Sequence, residues 1–72
     1  LKKIEDLVEL VNAGAHLDLS ASRKKVPDLI ALAQAASRSK SNIIIDGSKK
    51  VDDLIAIVKA GRGRVTIRFT GT

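Results

Sequence analysis

His16, Asp18 and Ser20 alternate along one short stretch and are the residue types of a hydrolytic relay. On a strand, same-face neighbours stand roughly 7 Å apart, which separates His16 from Ser20 by about 13 Å. A nucleophile and its base need to approach to about 3 Å. The spacing argues against a relay, and no nucleophile motif surrounds any of the three. One His among scattered carboxylates is a poor metal site. With no Cys in the chain, a disulfide or Cys-based zinc site is excluded. The sequence therefore predicts no catalytic residue, no metal site and no cofactor.

Basic residues offer a second chemistry. Lys2-Lys3, Lys24-Lys25 and Lys49-Lys50 each precede an apolar, helix-like stretch. Stacked side by side, these pairs would form a rim beside helix N-termini, where anions commonly bind. Asp46-Gly47-Ser48-Lys49-Lys50 reads as a strand–loop–helix cradle, but it lacks the G-x-x-x-x-G-K-[ST] pattern of a nucleotide loop. Gly61-Arg62-Gly63-Arg64 resembles a fragment of an arginine–glycine tract, and equally a helix stop followed by a tight turn. No acid follows Asp53, whereas Lys59, Arg62, Arg64 and Arg68 do. The net charge of +5 fits an acidic partner, and also ordinary solubility. An anion or nucleic-acid surface would draw on Lys24, Lys25, Lys49, Lys50, Arg62, Arg64 and Arg68. Nucleic-acid binding would also favour base-stacking aromatics, and the one aromatic residue, Phe69, falls on the predicted apolar face of its strand.

The elements that hold these residues repeat. Ile4-Glu5-Asp6-Leu7-Val8-Glu9-Leu10-Val11 returns as Val26-Pro27-Asp28-Leu29-Ile30-Ala31-Leu32-Ala33, then as Val51-Asp52-Asp53-Leu54-Ile55-Ala56-Ile57-Val58. Three units follow, roughly 1–22, 23–47 and 48–72, within one domain. In each, five apolar positions cover an arc of about 160° on a helix, wide enough to meet a sheet below and a neighbour beside it. Pro27 suits the first helical position, and the acids of each first turn complement the helix dipole. Gly14 and Gly61 read as left-handed helix stops. The second helix lacks such a glycine, so Ser37-Arg38-Ser39-Lys40-Ser41 reads as a mobile loop.

After each helix comes a short alternating run: Leu17/Leu19, Ile43/Ile45 and Val65/Ile67/Phe69. The alternate residues, among them His16, Asp18, Ser20, Asn42, Ile44, Asp46, Arg64, Thr66, Arg68 and Thr70, fall on the opposite face. Asp46 and Arg68 occupy matching positions and form a candidate cross-strand pair. One apolar face implies helices on one side of the sheet only. The order α-β-α-β-α-β makes the strands parallel. The predicted fold is an α/β array, a short solenoid-like parallel sheet with helices on one face. In architecture it resembles the curved arrays of leucine-rich-repeat proteins. That family's motif, L-x-x-L-x-L-x-x-N, occurs in none of the units, and no family function is carried over.

Neither terminal unit carries a distinct polar cap, which solenoids normally need. Flanking units of a longer chain, or other copies of this one, would cover the open ends. The edge strands, with Leu17 and Leu19 on one side and Val65, Ile67 and Phe69 on the other, are templates for strand addition. The function expected is non-enzymatic protein contact, including self-association. No apolar run reaches the 18 or so residues of a membrane span.

Overall fold

The computed structural model describes residues 3–69. Lys2 of the first lysine pair and Thr70 of the last strand lie outside them. Six elements follow in the expected order: α1 (Ile4–Asn12), β1 (Leu17–Leu19), α2 (Val26–Ser39), β2 (Ile43–Asp46), α3 (Val51–Gly61) and β3 (Val65–Arg68). The three strands form one open parallel sheet, ordered β1-β2-β3. The register sets Leu17 beside Ile43 and Ile43 beside Val65.

Each helix starts in the same way. Lys3, Lys25 and Lys50 are the residues before the first helical turn, all extended, with φ of −70°, −74° and −62°. Their carbonyls accept from the N–H groups of Leu7, Leu29 and Leu54 at 3.0–3.1 Å. None uses its side chain as a cap. The first-turn acids Glu5, Asp6, Asp28, Asp52 and Asp53 supply the favourable charge instead. Pro27 stands one place later than expected, as the second residue of α2, where its missing N–H still costs no helical bond.

One core joins the helices to the sheet. Leu7, Val11, Leu29, Leu32, Leu54 and Ile57 pack with Leu19, Ile43 and Ile45. Leu17, Val65 and Ile67 are partly buried against the same cluster. α2 packs against both α1 and α3. The alternate strand residues Asp18 and Thr66 are exposed and Ile44 is half-buried. The period-two pattern of the strands thus separates a core face from a more open face.

Two loop expectations are corrected. The stretch Ser37–Ser41 is not a free loop: α2 continues through Ser39 and ends at Lys40, whose φ of 59° is left-handed. Ala35 and Ala36 are fully buried, which anchors this last turn. Ser39 Oγ donates to the Ala35 carbonyl at 2.8 Å, and the buried Ser41 Oγ donates to the Val11 carbonyl at 3.1 Å. Ser41 therefore ties the end of α2 to the end of α1. Gly14 does take a positive φ, of 105°, but Gly61 stays helical, and Arg62 (φ 48°) and Gly63 (φ 91°) make the turn. Gly61 is required for space: a β-carbon there would strike the side chain of Val65.

Gly61→Ala sets a helix-propensity gain of about 1 kcal/mol against an overpacking cost of about 1–3 kcal/mol on a stiff β-branched neighbour. Urea denaturation is expected to show a net loss of stability. The double variant Gly61→Ala/Val65→Ala should recover part of it. Ser41→Ala is expected to cost about 1 kcal/mol, because the Val11 carbonyl keeps its other donor, the Gly14 N–H at 2.9 Å.

Candidate functional site

The outer flank of α3 and the end of β3 enclose an open groove of about 420 Å³. Val51, Leu54, Ile55, Val58, Ile67 and Phe69 line it, with Lys59 at its margin. Val51 is 69% exposed, Ile55 46%, Val58 37% and Phe69 64%. Scattered apolar residues are ordinary on a surface; here four exposed ones stand together. The Phe69 ring lies close over Gly47, where there is no side chain to displace it. A β-carbon at Gly47 would lie 2.5 Å from the Phe69 ring.

Sequence reasoning located Val65, Ile67 and Phe69 at this end but not the helix flank beside them. The missed signal was present. The third helix carries as wide an apolar arc as the first two, with no further unit after it in the sequence given.

β1 and β3 are the two edge strands, as expected. Leu19 is buried and Leu17, Val65 and Ile67 are half-buried, so these side chains serve the core. What the edges offer is main chain. The Leu17 N–H donates to the Asn42 carbonyl and the Ile43 N–H to the Arg64 carbonyl. In a parallel ladder each residue turns its N–H and C=O to the same side. The main-chain groups of Asp18 therefore face outward on β1, and those of Val65 and Ile67 face outward on β3.

The basic residues do not share one surface. Lys24, Lys25, Lys49 and Lys50 follow β1 and β2, at the carboxyl ends of the strands. Arg62 and Arg64 precede β3, at the opposite ends. Arg23, Lys24 and Lys49 border a cleft of about 120 Å³ with Ser22, Ser48 and Asp46. That is small beside the roughly 300–1,000 Å³ of ordinary ligand pockets. It also contains a carboxylate, which accepts a hydrogen bond from Ser48 Oγ. A second, shallow depression of about 560 Å³ lies between α2 and α3, bordered by Gln34, Arg38, Lys59 and Arg62.

His16, Asp18 and Ser20 form no relay. Asp18 Oδ1 accepts from Ser20 Oγ at 2.6 Å and from the Ser20 N–H at 3.0 Å. His16 Nδ1 instead accepts from the Asn42 N–H at 2.8 Å, which pins the start of the β1–β2 pair. Asp46 and Arg68 are register partners, but Arg68 reaches across β2 to Asp18 at 3.9 Å. Both side chains are more than half exposed, so the pair is worth little. Among the described residues, no group of three His, Cys, Asp or Glu could hold a metal ion. No described helix is long and apolar enough to cross a membrane.

The two hydrogen bonds from Ser20, above all the side-chain one, hold the Asp18 carboxyl below its ordinary value of 3.8, with Arg68 adding a smaller pull. Its contribution to stability is present above that ordinary value and lost as pH falls through the lowered one. A carboxyl NMR titration should place the Asp18 midpoint below 3.8 in the wild-type chain and raise it in Ser20→Ala. Arg68→Ala should raise it less.

No family model, curated protein or solved structure matches the chain.

Proposed function

We propose that this chain is a non-enzymatic α/β repeat module for protein–protein contact, and that it associates with its own copies. Its units are read as a short solenoid-like stack, helices on one face, with apolar ends and free strand edges as the contact surfaces. The observation that carries this reading is the apolar groove of Val51, Ile55, Val58 and Phe69 at the α3–β3 end. It lies beside the free edge of β3, so side-chain burial and main-chain pairing are available together.

The contact is weak by its own arithmetic. Completing the burial of each part-exposed side chain gives about 1–2 kcal/mol. Lost translational and rotational freedom costs at least about 4 kcal/mol. A few such side chains plus a short strand pair therefore give a dissociation constant on the order of micromolar to millimolar.

A second reading assigns an anionic ligand or nucleic acid to the lysine rim of Lys24, Lys25, Lys49 and Lys50, part of which borders the strand-end cleft, and to the basic C-terminal stretch of Arg62, Arg64 and Arg68. The carboxylate of Asp46 in the same cleft opposes it. Salt separates the readings. Phosphate-driven binding falls steeply between about 50 and about 200 mM salt, whereas apolar association holds or strengthens.

Light scattering over a concentration series is expected to show mass rising above the 7.7 kDa monomer. Val58→Glu, at an exposed position, is expected to hold the chain at monomer mass with an unchanged circular dichroism spectrum. A wild-type chain that stays monomeric at millimolar concentration would overturn the proposal.

A further inference from the structure

We infer that the groove takes the first helix of a second copy, and that β1 of that copy adds in parallel to β3, so that copies stack head to tail. This rests on the contact reading above and gives it a partner and a direction.

Repeat-equivalent residues differ in exposure according to their place in the chain. Val11 and Ala33 are fully buried, but their counterpart Val58 is 37% exposed. Val8 and Ile30 are half-buried, but Ile55 is exposed, and Val51 stands in the same relation to Ile4 and Val26. These positions form the flank that each helix turns to the unit after it. A second set behaves in reverse. Leu32 and Ile57 are fully buried, while their counterpart Leu10 is 43% exposed. Ala36 and Gly61 are buried within their helices, whereas their counterpart Gly14 lies in the turn past the end of α1 and is exposed. This is the flank turned to the unit before. Twice within the chain, at α1–α2 and α2–α3, the two flanks are packed together. The flank left open on α3 and the flank left open on α1 are therefore the two halves of a contact the sequence already makes.

The strand edges agree. Outward main-chain groups belong to Val65 and Ile67 on β3 and to Asp18 on β1. Continuing the register of the existing pairs sets the second copy's Leu17 beside Val65 and its Leu19 beside Ile67. In that register the outward groups of one edge meet those of the other, as the Leu17–Ile43 and Ile43–Val65 pairs do.

Charge selects the direction. Residues 1–22 carry two lysines against four acids, and residues 48–72 carry six basic residues against two acids. Head-to-tail stacking sets an acidic end on a basic one. Pairing two α3 ends would bring like charge together. A head-to-tail contact of this kind closes into a ring where its rotation allows and otherwise extends as an open stack.

Two single-end variants test this in sedimentation velocity: Leu10→Glu blocks the head and Ile55→Glu blocks the tail. Both positions are exposed, and circular dichroism checks that each variant folds. The expected result is that each alone stays monomeric at concentrations where the wild type forms chains. An equimolar mixture should then form a one-to-one dimer and nothing larger. Dimerisation of Leu10→Glu by itself would mean tail-to-tail pairing; it would overturn the direction while leaving self-association standing. Wild-type chains that persist in both variants would place the contact elsewhere and overturn the groove as its seat. A wild type that never associates would overturn both readings.

Discussion

An α-β unit of this size presents a wider apolar arc on its helix than the one strand beneath it can cover. Everything else in the structure follows from that mismatch. The strand shields one part of the arc, and the two flanks need helices on either side. Only α2 has both. Leu32, Ala33, Ala35 and Ala36 on that helix, with Ile43 and Ile45 below, are fully buried. The alanines allow close approach, and the chain is almost without aromatics, so the interior is filled by small branched side chains in regular rows. α1 and α3 each have one covered flank, and the exposed Leu10, Ile55 and Val58 mark where the cover stops.

Polar groups play a supporting part. Ser41 sits inside the helix layer and satisfies a carbonyl at the end of α1, which fixes where α2 must end. His16 and Asn42 set the first rung of the sheet. The lysines before each helix leave its first N–H groups without a side-chain cap, and the acids that follow supply the complementary charge. Of the residues most suggestive of chemistry in the sequence, His16 bonds the main chain of Asn42 and Asp18 accepts from Ser20. The apolar residues at the α3–β3 end, Val51, Ile55, Val58 and Phe69, are left exposed.

Much of this was legible in the sequence. The recurring apolar octet gave the helices, the alternating pairs gave the strands, and their order required a parallel sheet in sequential arrangement. Edge strands around Leu17–Leu19 and Val65–Phe69 followed directly, the second ending at Arg68. Other features depend on contacts between units and were not legible. The polar run after Ala36 looked like a loop because its serines favour turns, yet Ser39 bonds back to Ala35 within α2 and Ser41 bonds to the Val11 carbonyl of α1. Gly61 looked like a helix stop because glycine usually is one, whereas its role is to leave room for Val65. Arg68 was matched with its register partner Asp46, but the long side chain reaches a further strand across. The α3 flank went unnoticed because its residues resemble core residues in type and spacing, and the sequence pattern alone does not show which of them a neighbouring helix covers.

Amide hydrogen exchange across a dilution series tests most directly the idea that each unit is completed by the next. At low concentration, protection should be greatest in β2 and α2 and least at the outward amides of Asp18, Val65 and Ile67. On concentrating the sample, exchange at those three amides and along α3 should slow, while Thr66, already turned toward β2, should change little. A protection pattern that does not depend on concentration would contradict the account.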